Sequence, residues 1–319
     1  MTKEFLRLRV IHLLFLITAF FLQQGCEEKK EKVVSDPRDT VTIKKTIVPE
    51  PPVLKVVFTK EPVKSVHILA ELTDKFGDAG MREVLAINRL DTRHIVIGDT
   101  LCVPDTLSPD FLFFSPFPRE LSILDSVPKI LIFSYPVQAF AAYDSGRLVR
   151  WGPTSMGKRS TPTPEGLYFT NWKAKVTTST VNDEWILPWA FNIDNFNGIS
   201  IHQFELPGYP ASHSCARLLQ KDAEWIYYWA DQWILTKDGE RIKAYGTPVI
   251  IYGRYNYHAP PPWKLLSIKT DADKVKVEDL ITVIKKYLPT IIKRKDQRDS
   301  LLASMRTDSL ALSRSQLRY

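Results

Sequence analysis

The chain has 319 residues, of which 44% are hydrophobic, so it holds enough apolar material for one large domain or two modest ones. The 43 lysines and arginines outnumber the 36 aspartates and glutamates and give a net charge of +7, so we expect a basic surface that attracts anionic lipid or an acidic polymer. The sequence contains no nucleic-acid-binding motif, and its three cysteines are too few for a disulfide framework, which argues against a nucleic-acid partner and a disulfide-rich fold.

The first 26 residues, 1–26, have the pattern of an export signal. Three basic residues precede an apolar run from Val10 to Leu22, which is shorter than a comfortable membrane span. The run is followed by Gly25-Cys26, which resembles the lipid-attachment box of bacterial lipoproteins. This resemblance implies a protein of the bacterial cell envelope that is anchored to a membrane through lipidated Cys26 and faces the periplasm. A plain signal peptide and an uncleaved anchor are the alternatives.

Residues 27–62 are predicted to form a linker. They begin with a dense run of charge and continue with proline-rich segments such as Pro49–Pro52, which favour extended conformations and cannot build a core. We expect this linker to tether the rest of the chain to the membrane.

Residues 63–106 are predicted to form a small α+β unit. Apolar residues at helical spacing indicate a helix around Ile68–Leu72 and a second from Met81 to Asn88, and a strand is expected from Ile95 to Pro104. Cys102 lies inside the apolar end of this strand and is interpreted as a buried, unreactive thiol.

The order of residues in this unit resembles a LysM repeat, and the matching positions are Asn88, Gly98, Asp99, Leu101 and Pro104. The resemblance implies binding to polymers of N-acetylglucosamine, and so to peptidoglycan. The first strand that such a repeat needs, at Ser65–Ile68, is indistinct. A packing domain with similar elements and no ligand is the alternative.

Residues 107–127 are predicted to connect this unit to the next domain. Their apolar cluster Phe111–Phe114 is expected to pack on that domain, because a large exposed apolar patch is unusual.

Residues 128–254 have the pattern of strands. A hairpin is predicted from Lys129 to Tyr143 and a further strand at Tyr245–Tyr252, while Trp225–Ala230 has helical character. We therefore predict a mainly β domain, either a sandwich or a partly closed barrel, with one packed helix, preceded by the small α+β unit.

Residues 255–319 form a basic tail. Apolar residues recur at helical spacing in Val277–Lys286 and in Leu288–Lys295. A solvated helical tail is expected, and a basic segment attracted to a wall or a membrane is the alternative.

The stretch from His202 to Cys215 carries the most reactive combination of side chains. The cysteine lies close in sequence to His202 and His213, and Arg217 follows it. A thiolate attacks carbonyl carbon, but a free thiol has a pKa near ~8.5, so a neighbouring histidine is needed to take its proton. Arginine offers a planar pair of donors that suits a carboxylate. A buried thiol, satisfied histidines or a zinc site are the alternatives, although the paired ligand spacing of structural zinc sites is missing.

Three segments, taken together, resemble the L,D-transpeptidases with a YkuD-type catalytic domain. The family signature is a histidine, a spacer, and then Ser-His-Gly-Cys with an arginine close behind, which His202 and the run Ser212-His213-Ser214-Cys215-Ala216-Arg217 match. Upstream, Thr154–Lys158 and Thr161–Tyr168 are similar to a second family stretch, and downstream Gly246–Tyr252 is similar to its closing strand. The resemblance covers residues 128–254.

The resemblance implies acyl transfer on peptidoglycan stem peptides. Cys215 would attack the carbonyl carbon of an L,D peptide bond to give a thioester, which an amine or water then resolves. It makes His202 the general base, and it makes His213 a residue that orients the site or binds substrate. Substrate and oxyanion contacts fall to Ser212, Ser214, Arg217 and Tyr209, and Trp189 is expected to line the same groove. The resemblance implies no metal and no organic cofactor.

Ser214 departs from the signature, which has glycine at this position. Glycine is favoured where the backbone needs a positive φ, and another residue there costs roughly 1–2 kcal/mol. A catalytically inactive peptidoglycan-binding lipoprotein is therefore the alternative function. A cysteine peptidase on another fold would explain the cysteine and histidines, but not the upstream and downstream matches.

Overall fold

The computed structural model describes residues 54–179 and 182–316. The predicted export signal, the predicted lipidation site Cys26 and most of the predicted linker lie outside these residues. Among the helices that are described, none has both the length and the apolar character needed to cross a membrane.

The N-terminal unit consists of two antiparallel strands joined by a kinked helix. β1 (Phe58–Pro62) pairs with β2 (Thr100–Pro104), and α1 (Ile68–Ile87) connects them. The two predicted helices form one element with a kink at Gly77, whose φ of 71° is a left-handed conformation that glycine adopts without strain. The first strand is β1, which lies within the predicted linker, and not Ser65–Ile68. The second strand is also shorter than predicted.

The main domain is built on a mixed sheet of nine strands. Their order across the sheet is β6-β13-β3-β4-β5-β10-β9-β8-β7. The strands are β3 (Ile130–Ser134), β4 (Ala139–Asp144), β5 (Arg147–Ser155), β6 (Gly166–Phe169), β7 (Lys173–Thr178), β8 (Ile186–Asp194), β9 (Ile199–Gln203), β10 (Ala216–Leu218) and β13 (Pro248–Tyr252). A separate pair, β11 (Ile234–Leu235) and β12 (Ile242–Ala244), lies between β10 and β13 in sequence. Short 3₁₀ turns occur at Phe111–Phe114, Ser122–Leu124 and Pro262–Leu265.

The sheet is curled. β6 and β7 lie at its opposite edges, yet only residues 170–172 join them, so the two edges must approach one another. One helix, α2 (Gln220–Trp229), packs beside the sheet and begins before the predicted segment Trp225–Ala230. The predicted class is confirmed as a mainly β domain, in the form of a partly closed barrel with one packed helix.

Both faces of the sheet are covered. β3 is buried along its whole length, and the alternation of side chains sends Ile130 and Ile132 to one core and Leu131 and Phe133 to the other. The first core also contains Trp151, and the second packs against α2.

The prediction of a solvated C-terminal tail is wrong for its first half. α3 (Val277–Gln316) is one continuous helix that includes Pro289. Its N-terminal half buries Leu280, Ile284 and Ile291 against the first core, and Trp263 is buried in the same core. Helical spacing alone did not reveal this contact, because the sequence does not show which apolar face has a partner.

Candidate active site

Strand pairing brings the cysteine and the first histidine together. β10 lies in the middle of the sheet, parallel to β9 and antiparallel to β5. Its register places Ala216 beside Ile201 and Arg217 beside His202. Cys215, immediately before β10, is thereby brought to the same part of the sheet as His202, which lies 13 residues earlier in the chain.

A narrow cavity of about 60 Å³ opens at this point. Five of the seven predicted catalytic and substrate-contact residues line it, namely His202, Ser212, His213, Cys215 and Arg217. The hairpin formed by β7 and β8 and its connecting segment contribute Thr177, Thr178, Ser179, Trp185 and Leu187 to the lining. Trp172, Asn192, Gly198, Ser200 and Phe204 complete the lining.

Cys215 is a protonated thiol at rest. Burial raises the pKa of this thiol, and a backbone hydrogen bond at Ser200 together with the positive charge of Arg217 opposes that rise only in part. The thiol donates a long hydrogen bond of 3.8 Å to the carbonyl oxygen of Gly198. Because the thiolate is the nucleophile, the site needs a base that takes this proton.

His202 has the properties of such a base. Its Nδ1 atom lies 2.9 Å from the carbonyl oxygen of Gln203. A carbonyl only accepts, so Nδ1 carries the proton and Nε2 keeps its lone pair. Burial lowers the pKa of His202 to about 4, although the bond to Gln203 acts in the opposite direction. The ring is therefore neutral at pH 7 and able to accept a proton.

His213 has the opposite arrangement. Its Nε2 atom lies 2.9 Å from Nζ of Lys158. An ammonium group has no lone pair, so Nε2 accepts and the ring proton is on Nδ1. Burial, followed by the charges of Lys158 and Arg217, lowers the pKa of His213. A ring with its lone pair already occupied cannot take the thiol proton, so His213 is the weaker candidate for the base.

Ser212 fixes the loop that carries the cysteine. Its hydroxyl donates to the carbonyl oxygen of Cys215 at 2.5 Å, and its N–H donates to Met156 O at 3.0 Å. Its own carbonyl oxygen accepts from the N–H of Lys158 at 2.9 Å and from the hydroxyl of Thr161 at 3.1 Å. The upstream segment singled out from the sequence therefore holds the cysteine loop in place.

Ser214, which replaces the glycine of the family signature, adopts a backbone conformation that favours glycine. Its φ is 81°, in the left-handed region, where a non-glycine residue costs roughly 1–2 kcal/mol. Its hydroxyl donates to Thr161 O at 3.3 Å, which secures the strained residue. Within the described chain the N–H groups of Ser214 and Cys215 donate no backbone hydrogen bond. They are free to hold an anionic oxygen.

Arg217 is a half-buried cation that faces the cavity. Its guanidinium lies over the ring of Phe204, 4.6 Å from the ring centroid, and it forms no ion pair with any described residue. Burial lowers the pKa of Arg217 and the nearby carboxylate of Glu205 raises it. An arginine keeps its charge under such conditions. The positive charge is available to a ligand.

Residues 128–251 match the family model of the YkuD L,D-transpeptidase catalytic domain. The resemblance to this family that was predicted from the sequence is thereby confirmed for residues 128–251. No curated protein matches the chain.

Several solved structures are similar to the chain. An L,D-transpeptidase from Mycobacterium smegmatis is 20% identical over 40% of this chain and 59% of its own, with a TM-score of 0.32. One from Stackebrandtia nassauensis is 18% identical over 40% and 57%, with a TM-score of 0.32. One from Xylanimonas cellulosilytica is 22% identical over 64% and 100%, with a TM-score of 0.39. The chain spans a little over half the length of the first two.

Two aromatic residues of the transpeptidase domain are not where we predicted them. The side chain of Tyr209 is exposed and is absent from the cavity lining, and only its carbonyl oxygen is used, as the acceptor for the hydroxyl of Ser155 at 2.8 Å. Trp189 packs against Tyr227 and Tyr228 instead.

The tryptophans that line the cavity are Trp172 and Trp185, which sequence reasoning missed. Both belong to segments around the β7–β8 hairpin, and the strand pattern does not show which of several aromatic residues a curled sheet turns inward. The contact of Lys158 with His213 was also not predicted, although Lys158 lies within the upstream segment Thr154–Lys158 that resembles the family. In the described parts of the chain no group of three histidine, cysteine or acidic residues is close enough to hold a metal ion, so the zinc alternative has no ligand set there.

Proposed function

We propose that the chain is an acyltransferase that acts on peptidoglycan stem peptides through a thioester on Cys215. The observation that carries this proposal is the placement of Cys215 beside His202 in one cavity of an L,D-transpeptidase domain, with Nε2 of His202 unprotonated. The protonation states of Cys215 and His202 determine the chemistry.

In the first half-reaction, Sγ of Cys215 forms a bond to the carbonyl carbon of an L,D peptide bond while Nε2 of His202 takes the thiol proton. The N–H groups of Ser214 and Cys215 hold the resulting oxyanion, and such donors contribute on the order of 10²-fold in rate each. When the carbon–nitrogen bond breaks, the imidazolium returns its proton to the leaving amine. A thioester remains on Cys215.

In the second half-reaction, the amine of another stem peptide or water attacks the thioester. His202 takes a proton from the attacking group and returns it to the departing thiolate, so the enzyme ends in its starting state. Gln203 supports both steps, because its carbonyl oxygen accepts from Nδ1 and stabilises the transient imidazolium.

The catalytic experiment is incubation of the full-length chain in detergent with purified peptidoglycan, followed by mass analysis of the released muropeptides. We expect new or trimmed cross-links with wild type and none with Cys215→Ala. The matched control is Cys102→Ala, which removes a buried thiol from another core and leaves turnover in place. A second readout is a carbapenem adduct on intact protein, which Cys215→Ala abolishes. Turnover that survives Cys215→Ala would refute the assignment.

The cellular part of the proposal is an exported lipoprotein, anchored through Cys26 and facing the periplasm, whose N-terminal unit is a LysM-like peptidoglycan-binding module. The LysM-like module is supported by the order of its elements, which is a strand, two helical halves and a strand, formed by β1, the kinked α1 and β2. Cys26→Ser is expected to move the protein out of the membrane fraction. Unchanged detergent partitioning of that variant would contradict the anchor.

An inactive peptidoglycan-binding lipoprotein is the second candidate, because Ser214 is strained where the family has glycine. A wild-type chain that sediments with peptidoglycan but forms no thioester, and that Ser214→Gly activates, would favour this candidate.

A further inference from the structure

Two of the side chains that line the cavity beside Cys215 have hydrogen-bond donors for which the described chain provides no acceptor. Arg217 forms no ion pair with the described chain, and the Nδ1 atom of His213 is shielded from solvent without a partner there. Among the described residues that line the cavity there is no aspartate and no glutamate. Unpaired buried donors are costly, so such a cavity favours a ligand that brings its own oxygen anion.

Lys158 determines which nitrogen of His213 is a donor. The ammonium group, 2.9 Å from Nε2, can only donate, so it makes Nε2 the acceptor and leaves the proton on Nδ1. Trp185 packs on the imidazole at 4.9 Å between ring centroids, which restricts the ring. A free imidazole carries its proton on either nitrogen, and the lysine removes that choice.

Lys158 acts from outside the cavity. It is not among the lining residues, and its own N–H donates to Ser212 O at 2.9 Å, which fixes its backbone against the cysteine loop. Two cations, Lys158 and Arg217, flank His213, so the neutral ring is favoured over a third positive charge. The neutral ring is able to donate through Nδ1 alone.

We propose that Lys158 is a positioning residue that holds His213 as a neutral Nδ1–H donor, and that this donor and Arg217 together bind a carboxylate of the acyl-donor peptide. The carboxylate part rests on the proposed function, whereas the tautomer part does not. An arginine and an imidazole N–H are complementary to the two oxygens of one carboxylate.

The tautomer is tested by the imidazole ¹⁵N shifts of the full-length chain with labelled histidines. The chain has six histidines, and His213→Gln identifies the resonances of this one. We expect the Nδ1–H pattern in wild type and in Lys158→Arg, which keeps a donor, and a mixture of tautomers in Lys158→Met. The control is Lys237→Met, an exposed lysine in the turn between β11 and β12. An unchanged pattern in Lys158→Met would overturn the proposal.

Binding of the carboxylate is tested on a Cys215→Ala background by titrating tryptophan fluorescence with a stem tetrapeptide. The peptide is used with free carboxylates and, as the comparison, with those carboxylates amidated. We expect Lys158→Met to weaken binding of the acid form by about tenfold or more, since bonds to charged groups are worth roughly 1.5–3 kcal/mol. We expect no change for the amide. Equal losses for both peptides, or no preference for the acid form before mutation, would overturn the proposal.

The two proposals fail separately. A chain that binds the acid peptide in a Lys158-dependent way but never changes purified peptidoglycan refutes the proposed function and supports the carboxylate site. A chain that turns over peptidoglycan with wild-type KM in Lys158→Met supports the proposed function and refutes the carboxylate site.

Discussion

Arg89 is fully buried and Arg217 is half-buried, and the two lie in different regions of the protein. They differ in how far the protein itself satisfies their hydrogen-bond donors. Arg89 lies where α1, the sheet and the C-terminal segment meet, and it donates to the carbonyl oxygens of Ala86, Ile87 and Val137 and to Asp273. Its guanidinium also faces the rings of Trp151 and Trp263 at 5.6 and 5.1 Å. Arg217 lies in the cavity with one aromatic contact and no ion pair in the described chain.

The hydrogen-bond donors of the two guanidinium groups separate a structural charge from one that is available to a ligand. A buried cation whose donors are bonded to the protein itself has little left to offer a ligand, and its removal leaves its partners unpaired. A cation with unsatisfied donors keeps its binding capacity at a cost in stability. We therefore expect substitutions in the Arg89 region to reduce stability and those in the cavity to reduce function.

The largest expected effect is on the free energy of unfolding. Arg89→Met leaves the carboxylate of Asp273 buried and uncompensated, so the free energy of unfolding should fall by about 3–5 kcal/mol. Denaturant melts measure this. The matched control is Arg93→Met, whose side chain is 77% exposed and lies 3.9 Å from the carboxylate of Glu205. It should change stability by less than about 1 kcal/mol. Equal effects of the two variants would remove the basis of the comparison.

The same region offers a sharper version of this test. The double variant Arg89→Met with Asp273→Leu removes both charges, so it should recover much of the loss seen in the single variant. A double variant as unstable as the single one would show that packing on Trp151 and Trp263, and not the ion pair, dominates.

The second expected effect is on the pH dependence of stability, and it arises from His202 in the cavity. His202 is neutral when folded, with a pKa of about 4 against an ordinary value of 6.5. The unfolded chain therefore binds the extra proton first, and stability is lost as the pH falls from about 6.5 to about 4. The loss attributable to this group is about 3 kcal/mol. His202→Gln should flatten the stability profile in this range, whereas His258→Gln, which changes an exposed histidine, should not.

Much of the fold and a third of the residues that line the cavity could be anticipated, because those features are encoded locally. The hairpin that became β3 and β4 was visible from alternation and turn residues, and Cys215 with His202 from one short motif. The curl of the sheet, the packing of α3 and the choice of Trp172 and Trp185 over Trp189 depend on contacts between distant segments. Residue types alone do not specify such contacts.

The third expected effect separates binding from stability. Arg217→Met removes an unpaired cation, so we expect the free energy of unfolding to change by less than about 1 kcal/mol or to rise. Binding of a carboxylate-bearing stem peptide should weaken by about tenfold to a hundredfold. Titration and denaturant melts on the same preparations measure both quantities. A loss of stability comparable with that of Arg89→Met would mean that Arg217 is also a structural charge.

The smallest effect is expected at Ser214. Its positive φ of 81° stores roughly 1–2 kcal/mol of strain, and its 3.3 Å hydrogen bond to Thr161 offsets part of that amount. Ser214→Gly relieves the strain but gives the unfolded chain more freedom, so stability should rise by no more than about 1 kcal/mol. The acylation rate should stay unchanged or rise by up to roughly thirty-fold, the limit if all the strain were lost from the transition state.

Ser145, with a φ of 47° in the turn between β4 and β5, is the matched control. Ser145→Gly should relieve similar strain and leave acylation as it was, because Ser145 lies in the turn between β4 and β5 and not in the loop that carries Cys215. If Ser214→Gly instead slows acylation while Ser145→Gly does not, the serine side chain has a catalytic function that its glycine counterpart in the family lacks.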